Sequence, residues 1–178
     1  KGVRVTKTSS GFKLMQFART NVPAGAERQE RVRSIQEVLQ SLNGRDLNIV
    51  TAVGGTGAVL RRVLLPKMTP TELRGALHYE ADKYIPFKTE EAYLDFAILG
   101  DRPGGRMEVV LAAARREIVH AHLDLLKEAQ VIPHAVDLET LALNNAWEVS
   151  HPIQESEVAV LIQVGARATI LVFLVGSQ

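Results

Sequence analysis

The chain has 178 residues, 46% of them hydrophobic and 23% charged, with a formal net charge of +1. That composition is globular rather than disordered or fibrous, and near-neutrality with only 5% aromatics argues against a nucleic-acid surface, which needs a basic footprint or stacking rings. The chain has no cysteine, which excludes disulfides, thiolate nucleophiles and thiolate metal sites.

The chain opens on "KGVRVTKTSSGFKLMQFA", which reads as a hairpin. Val3 and Val5 alternate with polar residues, "TSSG" supplies the turn, and Phe12, Leu14 and Phe17 continue the apolar pattern. In "AERQERVRSIQEVLQSLNG", Val32, Ile35, Val38, Leu39 and Leu42 fall on one helical face, and Gly44 suits the C-terminal cap. "LNIVTAV" is short, apolar and β-branched, as a covered strand should be.

A second pattern spans residues 58–137. "AVLRRVLLP" is a strand with Val59, Arg61, Val63 and Leu65 on one side. "TPTELRGALHYEADKY" is a helix in which Thr69 caps, Pro70 occupies the first turn and Glu72 completes a capping box. Its predicted apolar face is Leu73, Ala76, Leu77, Ala81 and Tyr84. "AYLDFAILG" and "RMEVVLAAA" form strands around the turn "DRPGG". "RREIVHAHLDLLKEAQ" is a helix with Ile118, Leu125, Leu126 and Ala129 inward, and "VIPHAVD" is a last strand. The order β-α-β-β-α-β predicts a four-stranded split βαβ unit, ferredoxin-like, with two helices on one face.

"LETLALNNAWEV" then reads as a helix with Leu138, Leu141, Ala142 and Val149 inward. The tail "VAVLIQVGARATILVFLV" is too interrupted, at Gln163, Gly165 and Arg167, for a membrane helix. It reads as two buried strands joined by a turn at Gly165. Both chain ends read as cut from a longer protein, so this start shows no secretion signal and leaves one further upstream open.

Four features are candidates for chemistry. "VGGTGAV" at 53–59 looks like a phosphate loop, yet it lacks the lysine and the following helix of such a loop, so it reads as a strand-to-strand linker. His120 and His122 are two apart on a helix and point in different directions. A pair at i and i+4 would suit zinc, so His122 reads as a hydrogen-bonded histidine at the core edge and no metal site is assigned. Glu80 falls on the apolar stripe, where a carboxylate needs a partner such as Arg61 or Arg62, either as a structural ion pair or as a polar anchor in a groove. Arg115 and Arg116 open a helix, where cations are slightly unfavourable, which leaves two readings, a nearby acid or no significance. No catalytic constellation can be assembled.

The series "VTAV", "VLRRVLLPKMTPTELRGALHYEADKYIPF", "EAYLDFAILG" and "MEVVLAAARREIVHAHLDLLKEAQVIPHAVDLETLAL" resembles the PilM family of cytoplasmic type IV pilus assembly proteins. The most specific pieces are "LPKM", "EADKYIPF", "LDF" and "VVLAAARRE", and the resemblance is densest over residues 45–143. It implies an α/β and α+β architecture, a partial actin-like (FtsA-like) fold. Residues 1–57 would belong to the first actin-like subdomain, 58–137 to an inserted β-α-β-β-α-β subdomain, and 138–178 to a linking helix and the start of the second half.

It further implies a cytoplasmic scaffold, peripheral to the inner membrane, whose groove receives the short tail of PilN, a membrane protein. Other platform proteins and motor ATPases would assemble with it, with self-association a further option. The expected partner contacts are Arg62, Glu80, Tyr84, Pro86 and Phe87, with Tyr84 packing the inserted unit and Pro86 and Phe87 shaping a rim.

The family holds ATP and Mg²⁺ between two phosphate hairpins. The first is expected just before "KGVRV", and the second is "QVGARAT", giving Gln163, Gly165, Ala166 and Arg167 as phosphate-side contacts. The family's usual Asp is replaced by Gln163, and an amide is a weaker ligand for a hard cation. This chain is therefore expected to hold ATP poorly. The competing readings are an actin-fold ATPase or kinase, a type II secretion platform component, and a ferredoxin-like nucleic-acid module, the last opposed by the charge.

Overall fold

The computed structural model describes residues 1–9, 11–43, 47–151, 157–165 and 168–176. The chain opens with an antiparallel hairpin, β1 (Gly2–Thr8) and β2 (Gly11–Ala18), followed by α1 (Arg28–Ser41). Ala18 packs with Val38 and Leu42 of the helix and its C-terminal cap. The expected cap Gly44 lies outside the described residues. The apolar side chains of the hairpin, Val3, Val5, Phe12, Leu14 and Phe17, are exposed.

β3 (Val50–Val53) leads through a 3₁₀ turn at Gly55–Gly57 into β4 (Ala58–Pro66). α2 (Pro70–Glu80) follows, then β5 (Ala92–Arg102), β6 (Arg106–Arg115) and α3 (Arg116–Glu128). The three strands form one antiparallel sheet in the order β4-β6-β5. α2 starts as its sequence dictates. The Glu72 N–H donates to the Thr69 hydroxyl at 3.3 Å, and the Thr69 N–H donates to the Glu72 carboxylate at 2.7 Å. Those two bonds satisfy donors that a helix start leaves open.

Period-two alternation decides what α2 covers. Met107, Val109, Leu111 and Ala113 of β6 face Leu73, Leu77 and Ala81, and Leu65 of β4 and Ala92 of β5 close the cluster. Val59 and Val63 pack on the same side, as expected for β4. The opposite face is covered near one end, where Ala58, Leu60, Ala112 and Ala114 meet Ile118 and Val119 of α3.

The structure corrects the four-stranded split βαβ unit. β7 (Ala135–Leu138) does not join the sheet of β4, β5 and β6. It pairs in parallel with β3, Val50 opposite Ala135 and Val53 opposite Leu138. Parallel neighbours need a long crossover, and here the crossover contains the whole three-stranded sheet with α2 and α3. The pairing buries Val53 and Leu138 beside Val119 and Ala114, which gives the short strand a core. α3 also meets α1, where Leu126, Ala129 and Val131 pack against Val32, Ile35 and Leu39.

α4 (Glu139–Ser150) has no side-chain cap and none of its residues is buried. Leu141 leans on the β3–β7 core, but Val149, expected inward, is exposed. The described chain closes with a second antiparallel hairpin, β8 (Val158–Val164) and β9 (Thr169–Val175).

Candidate partner segment and nucleotide turn

After α2 the chain makes a 3₁₀ turn at Ala81–Lys83 and then turns back toward β5 through "YIPFKTEE". A carboxylate closes this return. Asp82 accepts the Thr89 N–H at 2.7 Å and also accepts from the Thr89 hydroxyl. Those bonds hold the Asp82 carboxyl below its ordinary range, because they favour the charged form. The sequence reading missed this staple. Its only trace is an acid and a threonine seven positions apart, with Pro86 between them.

The five expected partner contacts do not form one cluster. Tyr84 is half-buried against the α2 core, as expected, and Pro86 is exposed. Phe87 is corrected from rim to core: it is 8% exposed, with Ile85 buried beside it. The Arg115 guanidinium lies 4.9 Å from the Phe87 ring centre, so a cation covers the ring's remaining face. Glu80 is corrected too. Its side chain is 50% exposed and pairs with Lys83 at 3.3 Å, because the buried stripe runs Leu73, Leu77, Ala81 and leaves position 80 outside. Arg62 lies on the sheet face away from α2, paired with Glu108. Arg102 shares that carboxylate. Chiefly Arg62, with Arg102 beside it, holds the Glu108 carboxyl below its ordinary range against the opposing effect of burial.

The arginine pair does have a nearby acid, Glu91, 3.4 Å from Arg115. Arg116 instead donates to the Glu90 carbonyl at 3.1 Å. His122 is a hydrogen-bonded core-edge histidine, its Nε2 2.8 Å from the Thr51 hydroxyl. Burial pushes its imidazole below the ordinary value, and the Glu139 carboxylate works against that. His120 points elsewhere, 2.9 Å from the Tyr93 hydroxyl.

At the second hairpin, Gln163 is exposed and sits opposite Ile170. The Gly165 N–H donates to the Ala168 carbonyl at 2.9 Å. Glycine is required here by close approach, since a Cβ would stand 2.8 Å from the Ala168 oxygen. Ala166 and Arg167 lie outside the described residues. The "VGGTG" segment does link strand to strand, but the fold also gives it neighbours that the sequence did not reveal. Gly54, Gly55 and Thr56 line a cavity of about 290 Å³ together with Glu139, Thr140 and Ala168–Ile170. A Cβ on Gly54 would collide with the Glu139 carboxylate. Nothing local in the sequence announces an approach between residues so far apart in the chain.

A larger groove, about 690 Å³, lies between the opening unit and α3. The first residues of β1, the inner face of α1 and β3 line it, with His122 and Leu126 opposite. Among the described residues β1 pairs only with β2 and β3 only with β7.

These features define a class first: a mixed α/β scaffold that carries an extra antiparallel sheet inside a parallel crossover and a glycine turn between two apolar strands. The chain belongs to the PilM family of type IV pilus assembly proteins, whose family model matches residues 1–178. It is similar to the protein in a solved PilM–PilN type IV pilus biogenesis complex, with 30% identity and a TM-score of 0.83. That match covers 99% of this chain and 55% of the other, so the chain spans little more than half the length of this relative. It also shares its fold with the cytoplasmic domain of EpsL, an inner-membrane component of the type II secretion system of Vibrio cholerae. There the identity is 17% and the TM-score 0.52, over 94% of this chain and 63% of the other. The mixed α/β, actin-like class implied by the motif series is borne out by these likenesses, the four-stranded form of the inserted unit excepted. No helix among the described residues is long and apolar enough to cross a membrane.

Proposed function

We propose that this chain is the partner-gripping portion of a cytoplasmic pilus-platform scaffold, and that it holds the short cytoplasmic tail of a PilN-like inner-membrane protein. The supporting observation is the likeness, over 99% of the chain, to the protein in a PilM–PilN complex. The corrected geometry narrows the grip. Pro86 and Glu80 offer exposed atoms, Tyr84 offers half a ring, and Phe87 acts from beneath by fixing the return loop. Arg62 would contact a tail only from the other sheet face.

Calorimetry with a synthetic tail peptide tests this. The expected result is micromolar binding, about −8 kcal/mol, weakened by Tyr84→Ala together with Pro86→Ala. Absence of binding at peptide concentrations near 1 mM (about −4 kcal/mol) removes the proposal.

We assign ATP and Mg²⁺ to longer members of the family, with Gln163, Gly165, Ala166 and Arg167 on the phosphate side. The described residues do not by themselves fit that ligand. The Gly165 N–H is committed to Ala168, and Gln163 brings an amide where Mg²⁺ favours carboxylate oxygen. The enzyme reading draws on the cavity that joins Gly54, Glu139 and the base of the hairpin. It requires ATP turnover by the longer protein that is lost on Gly165→Val. Absence of turnover leaves the scaffold reading intact.

A further inference from the structure

The order β4-β6-β5 makes β5 an edge strand, so among the described residues its outer backbone groups meet no neighbouring strand. A groove of about 270 Å³ follows this edge, bounded by Arg74, Leu77 and His78 on the flank of α2. A groove between an edge strand and a helix is the geometry that accepts an extended peptide as an added strand.

Two arginines flank the edge from opposite faces. Phe96 shares the α2 face with Leu111, and Tyr93 lies on the other face with Ala114. The Arg74 guanidinium stands 5.1 Å from the Phe96 ring centre, and that of Arg116 stands 4.3 Å from Tyr93. Both cations line the groove. Stacking orders a guanidinium while leaving its N–H fork free for a carboxylate. Neither arginine is paired with a carboxylate among the described residues. Two nearby acids are engaged elsewhere, Asp95 accepting the Phe96 N–H at 2.9 Å and Glu91 pairing with Arg115, and Glu90 meets Arg116 through its backbone carbonyl.

We propose that the β5 edge binds an extended acidic segment of a partner protein by strand addition, with one carboxylate on Arg74 and another on Arg116. Side chains of a strand alternate between faces. Tyr93 and Phe96 are three positions apart and lie on opposite faces, so the bound segment carries its two acids three positions apart. The site shares no residue with the tail grip proposed above, and the two stand or fall separately.

The test is fluorescence anisotropy on the 178-residue chain with a labelled peptide of about ten residues, built from Thr and Val with two glutamates at i and i+3. Saturable binding is expected. Arg74→Ala and Arg116→Ala should each weaken it about ten-fold, the scale of one charge-assisted hydrogen bond. Moving the second glutamate to i+4, which puts both on one face, should cost about as much. N-methylation of the alternate amides that face β5 should abolish binding. Thermal melting of each variant shows that the fold is kept. Binding by the double arginine variant at full strength, indifference to glutamate spacing, or survival of N-methylation overturns the proposal. So does the absence of saturable binding by the i,i+3 peptide at millimolar concentration.

Discussion

The sheet under α2 and the hairpin of β8 and β9 are both antiparallel and both rich in apolar residues, yet they end in opposite states. On the sheet, Val109 and Leu111 are 0% exposed. On the hairpin, Phe173 is 68% and Val164 79% exposed, and Leu161 is its one buried apolar residue among those described. The difference is a helix. α2 lays Leu73, Leu77 and Ala81 across one sheet face, whereas α4 meets β9 without burying any residue of its own. Apolar alternation states that a face needs a cover, and only the neighbouring elements state whether it has one. The sheet therefore keeps recognition groups at its edges, in its loops and on the face away from α2, whereas the hairpin leaves an apolar face open within these 178 residues.

The comparison breaks first in the sheet. Leu111→Ala removes a side chain with no exposure, and a loss of about 3–5 kcal/mol is expected. Urea unfolding measures it, and a loss below about 1 kcal/mol would show that this core is not the main store of stability. Phe87→Ala comes next. Its ring belongs to the same cluster under Arg115, so about 3 kcal/mol is expected, a fall in melting temperature of roughly 6–12 °C for a chain of this size. Tail-peptide affinity should fall together with melting temperature, because the ring fixes the loop that presents Tyr84 and Pro86. Lost affinity with unchanged melting would return Phe87 to the rim.

How much of this was legible followed the range of the interaction. The capping box of α2 was readable because Thr69, Pro70 and Glu72 act within one turn. The alternation in β4 was readable for the same reason. The pairing of β7 was not, because a four-residue strand carries too little pattern to choose between β4 and β3. The burial of Phe87 was hidden because helical periodicity stops at the turn before Pro86, and its covering cation, Arg115, comes from the end of β6. Glu80 was misplaced for a subtler reason. The buried positions follow a strict i, i+4, i+8 row, and an i+3 step from Leu77 falls just off it. Of the site, the glycine turn was legible, whereas the approach of Glu139 to Gly54 depends on α4 starting directly after β7.

Smaller effects sharpen the contrast within the sheet unit. Thr69→Ala removes the cap that α2 has and α4 lacks, and about 1 kcal/mol should be lost. Thr69→Ser should restore most of it. A missing effect would mean that tertiary packing alone starts the helix. Acid acts on the return loop. The Asp82 pKa is depressed in the folded chain, so its contribution is present above the ordinary carboxylate value of about 4 and is lost as pH falls through the folded value. Asp82→Asn should therefore melt below the parent at pH 7, and the gap should close as the pH falls below the ordinary carboxylate value of about 4. A gap that persists unchanged at low pH would show that charge plays no part in the staple.

The smallest expected effect lies on the hairpin. Phe173→Ser replaces a ring already two-thirds in water, so stability should change by no more than about 0.5 kcal/mol. The same change should raise solubility, because it interrupts the row that Phe173 forms with Leu171 and Val175 on alternate positions of β9. Unfolding followed at two protein concentrations decides between the outcomes. A small, concentration-independent change keeps the hairpin as an open face. A loss above about 1 kcal/mol that grows with concentration would mean that the face is covered in solution by a second copy. The contrast between the two regions would then be one of which partner supplies the cover: a helix of the same chain in one case, another molecule in the other.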